Sequence, residues 1–420
     1  MKVVIVGAGI GGLGAAIALN RAGHDVEVYE SSSFLNEVGA AIHIAPNASR
    51  VMKSWDCDFE TLSPVDCEGI SLYSAADLKL IKTFVDMKSF QEKHGIKDRW
   101  VMVHRVDVHN ALRSLAERGF QGRTVKIHLN SKVESVNAET GEVHFQDGRK
   151  VKGDLVIGAD GLHSRTVQAI LSSGRDKVST GQKVFRFLVP VEKAETNPLI
   201  KRLLSKIGLN RTSAIAATAE RRMIIYPCRS GTLLNCAVIV RASESDDLAA
   251  RESSWLNVGS LEDLMECLNG FDPAVQELCK MAEDLKLWSL ITRDPPPTFV
   301  KGKLALIGDA AHPMLPHAGQ GGAQAIEDAG TLGALFPADT APGEVSELLN
   351  IYNQVRYNHT VTIGITSRVP NDYQEKMLEE LKRFVPNAIL SDTPWLDTWN
   401  NYPVKQVERL LAIRRDETAV

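Results

Sequence analysis

Lys2-Val-Val-Ile-Val6 runs without a break into Gly7-Ala-Gly9-Ile-Gly-Gly12, and Leu13 to Arg21 follows with the composition of a helix. A second β-branched stretch, Asp25 to Tyr29, ends on an acid, Glu30. This order predicts a strand–turn–helix–strand unit with the dinucleotide fingerprint in its first turn. Gly7 permits the tight turn, Gly9 lets the backbone approach a pyrophosphate, and Gly12 lets the helix pack close to the sheet. Free N–H groups and the positive end of the helix dipole then face the phosphates. Glu30 is placed to accept from a ribose diol. A glycine-rich turn in an ordinary α/β protein is the bland alternative, and the stretch alone does not separate NAD from FAD.

The 420 residues fit two or three domains, or one large domain with insertions. A hydrophobic content of 44% and a charged content of 24% describe a globular protein with a substantial core. A net charge of −4, with no basic run, argues against a nucleic-acid partner. The six cysteines are scattered, with no CxxC and no histidine-rich spacing, which argues against a zinc site and does not suggest a disulfide framework. The first strand begins at the second residue, leaving no room for a leader, and no apolar run approaches a membrane span. These features predict a cytoplasmic protein.

Further along, Asn47 to Trp55 reads as a short helix, Trp100 to His104 as a strand and Arg105 to Arg118 as an amphipathic helix. Short strands follow at 126–129, 132–137, 142–146 and 150–151. The run Asp154-Leu-Val-Ile-Gly-Ala-Asp-Gly161 is a buried strand entering a tight turn, and Lys303-Leu-Ala-Leu-Ile307 before Gly308-Asp309 repeats the pattern. Between them, strand-like pieces at 183–189, 222–226 and 233–240 suggest an antiparallel sheet, and residues 246–286 look helical. Helices are expected from about Gly321 to Leu335 and from Glu344 to Thr362. A nucleotide domain that is interrupted and resumed results: 1–75, 101–178 and 291–365 for the nucleotide domain, 76–100 and 179–290 for the substrate domain, and 366–420 as a C-terminal helical segment.

Three separated pieces line up: the glycine fingerprint with Glu30, Asp160-Gly161 with Ser164-Arg165, and Gly308-Asp309-Ala-Ala-His312-Pro313 with Pro316. In these motifs the chain resembles the class A FAD-dependent aromatic monooxygenases of the para-hydroxybenzoate hydroxylase fold, and among them the salicylate hydroxylase-like members. The resemblance implies a Rossmann-like α/β FAD-binding domain interrupted by an antiparallel-sheet substrate domain, with C-terminal helices. It assigns Gly7, Gly9, Gly12 and Glu30 to the ADP half of FAD and Arg105 to the pyrophosphate and ribityl region. Asp160 supports the FAD site and the handling of NAD(P)H, and Asp309 bonds a ribityl hydroxyl. Pro316 stands beside the site of oxygen reaction. The helix start at Gly321, with the N–H groups of Gly322 and Ala323, faces the flavin ring, where it favours the reduced anion. The chain departs from many members at Ala318 and Ala323, where glycine and asparagine are usual.

The reaction so implied uses NAD(P)H and O2 to place one oxygen atom on a phenolic or related aromatic small molecule through a flavin C4a-hydroperoxide. Arg186 is a candidate partner for a carboxylate or phenolate. Tyr226, His317 and His43 are further candidates on the inserted sheet, the flavin turn and the small apolar segment Gly39 to Pro46, and a solvated arginine or a packed core tyrosine are the plain alternatives. Other readings stay open: an epoxidase or double-bond reductase with the same cofactor, a non-catalytic flavoprotein, or a hydroxylase of a larger fungal polyketide or alkaloid. The C-terminal segment, with Trp395 and Trp399, fits either a cover over the substrate domain or a homodimer contact.

Overall fold

The structure, a computed structural model, describes residues 1–33, 39–171, 177–242 and 258–418. Lys2–Val6 lies inside a six-stranded sheet in the order Val300–Lys301, Leu304–Leu306, Leu155–Gly158, Lys2–Val6, Asp25–Tyr29, Lys126–His128. Every pair is parallel except the edge pair Val300–Lys301 with Leu304–Leu306. Val3, Val4, Ile5, Leu155, Val156, Ile157, Leu304 and Leu306 are fully buried. Continuous apolar runs of this kind suit parallel strands covered on both faces. Three stretches far apart in sequence therefore close on one sheet.

Helix Ile10–Arg21 packs on helix Gly321–Leu335 through small residues. A Cβ on Gly11 would stand 3.3 Å from that of Ala325, one on Gly14 3.2 Å from Ala329, and one on Gly333 2.8 Å from Ala18. Residue numbers rise together along the seam, so the two helices are parallel and their N-termini emerge at the same end. Glycine and alanine permit this close approach; longer side chains would force the axes apart.

A seven-stranded sheet forms the second layer, in the order Glu283–Arg293, Lys177–Pro190, Leu233–Arg241, Arg221–Cys228, Thr212–Thr218, Gly69–Ser74, Leu80–Asp86. One face carries Phe185, Phe187, Met223 and Ile225, packed under helices Pro198–Ile207 and Pro273–Lys280 with Leu203, Leu204, Val275 and Leu278. The alternation of the strands turns Arg186, Arg222, Ile224 and Tyr226 to the other face, toward the nucleotide domain. A three-stranded sheet of Ala41–Ile44, Val101–His104 and Val65–Asp66 lies at that junction.

Several expectations need correction. Gly69–Ser74 pairs parallel with Thr212–Thr218, so the substrate sheet begins before the expected boundary at 75. Residues 283–286, expected to be helical, open the strand Glu283–Arg293, which runs past the boundary at 290. Leu285 and Leu287 alternate there with Asp284 and Lys286, a period of two. Of the remaining helical stretch, Leu261–Cys267 and Pro273–Lys280 are helices, while 246–257 lie outside the described residues. In the C-terminal segment Trp399 is buried against Phe90 and Trp100, and Trp395 packs on Phe84. These tryptophans cover their own chain.

Candidate active site

Two helix N-termini share one groove because the helices are parallel. At the first, Gly7 has φ +98°, and a Cβ there would stand 2.5 Å from the Ala159 carbonyl oxygen; one on Gly12 would stand 1.9 Å from the Gly7 oxygen. By contrast, a Cβ on Gly9, Gly319 or Gly321 meets no protein atom within 4 Å, and one on Gly322 only Ile42, at 4.0 Å. The first pair of glycines serves the fold and the second set faces open space. A backbone bared toward an open groove at two helix N-termini fits a dinucleotide with a flavin ring. Ala323 lies buried inside the second helix. Glu30 turns one carboxylate oxygen to the Ala8 N–H (2.8 Å) and the other to the Ser32 N–H (2.7 Å), so it also braces the glycine turn.

The Asp160 carboxylate accepts from the N–H groups of Arg165 (2.6 Å) and Thr166 (3.0 Å) and from the hydroxyls of Ser164 (2.7 Å) and Thr166 (2.6 Å). It knits its own turn together. Arg293 ties that turn to the next, donating to the carbonyls of Leu162 (3.2 Å), Asp309 (3.2 Å) and Ala310 (2.6 Å). Asp309 is open to solvent at the groove yet deeply walled by protein, which is the geometry of a group on a cleft floor. The surrounding protein pushes its carboxyl above the usual range, with His312, Arg105 and Arg293 opposing. The Arg105 charge acts on both Asp309 and Arg186.

Behind the turn lies a buried ionic cluster that sequence reasoning missed. Asp328 Oδ2 accepts from the Gly308 N–H (3.0 Å) and meets His312 Nε2 at 2.6 Å, and Oδ1 accepts from Arg356 Nε (2.7 Å). Arg356 also donates to the Gln324 carbonyl (3.2 Å) and side chain (2.7 Å). Glu327, Asp328 and Arg356 have no exposed surface. Burial alone would raise the Asp328 carboxyl, but His312 and Arg356 hold it below the usual carboxylate range. Burial raises Glu327 despite Arg356. Asp328 is therefore the charge that faces Arg356. The available signal was an acid pair inside a helix apolar on every side. His109, which bonds the Ala8 carbonyl at 2.8 Å, was missed for a similar reason: a polar residue on a face shared with Val108 and Leu112.

The sheet face opposite this groove is apolar at its centre, where Val184, Ala237, Ile239 and Leu290 gather with Leu315, the residue before Pro316. Arg186 borders it. Its Nη2 donates to the Ala41 carbonyl (3.4 Å), its guanidinium lies 4.8 Å from the Trp288 ring centre, and among the described residues no carboxylate pairs with it. Burial lowers its proton affinity, with Tyr226 opposing. The Tyr226 hydroxyl donates to the same Ala41 carbonyl at 2.6 Å, and burial pushes it up to about 12, so it stays protonated. The His43 ring packs against Tyr226 with centres 4.6 Å apart and planes tilted by 52°, and burial brings it down to about 4. Pro316 is exposed at the groove, and both ring nitrogens of His317 are engaged, by Arg222 at 2.8 Å and Gln182 at 3.1 Å. A separate surface hollow of about 360 Å³, lined by Ser135, Glu142, His144 and Lys301 among others, touches none of these residues.

Residues 1–363 match the FAD binding domain family. The chain belongs to this family. Like its relatives, this FAD-binding chain is an FAD-dependent monooxygenase. Hispidin-3-hydroxylase of Neonothopanus nambi is 32% identical over 394 residues, covering 91% of this chain and 90% of that protein. The FAD-dependent monooxygenase cfoG of Aspergillus candidus is 34% identical over 392 residues, covering 92% and 88%. Salicylate hydroxylase, solved with its substrate, shares the fold at a TM-score of 0.76 and 21% identity, covering 97% of both chains. HpxO of Klebsiella pneumoniae, solved with FAD and uric acid, shares it at 0.73 and 23%, covering 96% and 98%. The fold of the family is the one expected from the three motifs. Among the described residues no helix is long and apolar enough to cross a membrane, and no group of three side chains is placed to hold a metal ion.

Proposed function

We propose that this monooxygenase hydroxylates an electron-rich aromatic molecule that presents an anionic oxygen, a phenolate or carboxylate, to Arg186. The observation that carries this reading is a half-buried guanidinium that has no carboxylate partner among the described residues, bordering an apolar floor that continues to Leu315 and the flavin-facing turn. A half-buried cation with no counter-charge among the described residues is costly, and an anionic substrate would supply one. Bound FAD, once reduced by NAD(P)H, would activate O2 so that one of its oxygen atoms can pass to the substrate. Gly7, Gly9, Gly12, Glu30, Arg105 and Asp309 would hold the cofactor, with Asp160 and Arg293 fixing the turns that meet it. Gly321, Gly322 and Ala323 would present N–H groups to the ring end. Arg186 favours the ionised, electron-rich form of the substrate, and the apolar floor excludes water that would otherwise release peroxide.

A larger phenol is favoured over a single-ring acid. Arg186 and Arg222 stand on one sheet face, two strand spacings and one side-chain repeat apart, about 12 Å between their backbones. The apolar floor between them is longer than one ring. The hispidin hydroxylase relationship agrees with this choice. Six cysteines without a disulfide support a reducing, cytoplasmic home. The test is NAD(P)H consumption by the FAD-loaded protein against single-ring phenolic acids and larger polyketide phenols, with product masses. Phenol-stimulated turnover with a product heavier by one oxygen is expected. Turnover indifferent to every phenol would overturn the proposal.

A further inference from the structure

We propose that His317 is a positioning residue: a single-tautomer imidazole that locks the flavin-facing turn Pro316–Ala318 to the substrate sheet and so keeps oxygen chemistry aligned with the substrate. This rests on the FAD site proposed above. Arg222 can only donate, so His317 Nδ1, 2.8 Å from its Nη2, must offer a lone pair. The ring proton therefore sits on Nε2, which donates to Gln182 Oε1 at 3.1 Å. Gln182 and Arg222 belong to strands on either side of Leu233–Arg241, opposite Arg241 and Ile239. One side chain thus grips the sheet at two strands.

The turn needs such a grip. Pro316, Ala318 and Gly319 carry no side-chain hydrogen-bonding group, and Pro316 and Gly319 are exposed. Backbone bonds hold it lightly: Gly319 N–H to the Pro316 carbonyl (3.1 Å), and Leu315 N–H to Ser367 Oγ (3.0 Å). A protonated ring would set a second N–H against Arg222 and lose that bond. Consistently, burial and the Arg222 charge bring His317 down to about 3. With both nitrogens occupied, His317 is not the group that moves protons.

Two readouts need no turnover. Nitrogen-15 spectra of histidine-labelled protein should show the Nε2–H tautomer for His317, unchanged between pH 8 and 5. Amide exchange in peptides spanning 315–322 of the FAD-loaded protein should be about tenfold faster in Gln182→Leu and His317→Phe. His317→Asn, which keeps one acceptor and one donor, should restore slow exchange. In turnover the first two variants should release several-fold more peroxide per NAD(P)H consumed, with the KM for the phenol little changed. An imidazole that titrates at an ordinary midpoint, or Gln182→Leu with parental exchange and peroxide yield, would overturn the proposal. A parent protein that takes up no FAD would instead refute the cofactor reading, and the tautomer would still be readable.

Discussion

Replacing Arg356 with methionine isolates the buried ionic cluster. Methionine keeps most of the length of the side chain and removes the charge. The change deletes the bond to Asp328 Oδ1 (2.7 Å), both bonds to Gln324 (3.2 and 2.7 Å) and the contact with Glu327 Oε2 (3.5 Å), and leaves the buried Asp328 carboxylate with His312 alone on its other oxygen. Breaking one side of such a pair costs about 3–5 kcal/mol. An unfolding entropy of roughly 2.1 cal/mol/K per residue, applied to the whole chain, converts this to a midpoint lowered by about 3–6 °C. The damage also reaches the cofactor. Asp328 Oδ2 holds Gly308 N–H and His312, so an altered Asp328 loosens the turn that carries Asp309. FAD affinity should fall about tenfold, a loss of one net hydrogen bond or slightly more. Urea and thermal unfolding, with and without FAD, measure both effects. The double variant Arg356→Met with Asp328→Asn should be less destabilised than the sum of the two singles, since no unpaired charge remains. A single variant within about 1 kcal/mol of the parent, or strictly additive costs, would refute this account of the cluster.

Gly9→Ala distinguishes a ligand-facing glycine from a structural one. The added Cβ meets no protein atom within 4 Å, so the apoprotein should unfold as the parent does, while FAD binding weakens at least tenfold. Gly7→Ala, at φ +98° and 2.5 Å from the Ala159 oxygen, should destabilise the apoprotein as well. Arg186→Met should raise the KM for an anionic phenol about 10- to 150-fold, the worth of one charge-assisted hydrogen bond, and an unchanged KM would detach Arg186 from the substrate. Stability should fall on mild acidification. His43, His317 and His359 are brought down to about 4, about 3 and about 3, chiefly by burial, while the unfolded chain takes up protons near pH 6.5. Below pH 6.5 the unfolded state binds more protons, so stability is complete above that pH and is lost as pH falls toward those values. Urea unfolding at pH 5.5 should show roughly 3 kcal/mol less stability than at pH 7.5, allowing for partial exposure of the rings. Equal stabilities would contradict the assignment of neutral buried histidines.

Local chemistry explains what was readable in the sequence. The run from Lys2 to Glu30 and the turn Gly308 to Pro313 announce themselves because tight turns and close backbone approach demand particular residues in a fixed order. The closing of 1–6, 155–158 and 304–306 into one sheet followed from their shared apolar character. Gly69–Ser74 was assigned to the wrong domain because its parallel partner, Thr212–Thr218, is remote and neither strand names the other. Arg356 and Asp328 bond across 28 positions, so composition shows two charged residues and no pair. The parallel seam of Gly11, Gly14 and Gly333 with Ala325, Ala329 and Ala18 was visible only as scattered small residues. That seam places two helix N-termini side by side, and no single helix pattern encodes it.

The most direct test of the central claim is to run the FAD-loaded protein with NAD(P)H and a responsive phenol under 18O2. One labelled oxygen in the hydroxylated product, with the second recovered in water, is the predicted result. A product formed without label, or flavin reduction that yields only peroxide across all phenols, would contradict it.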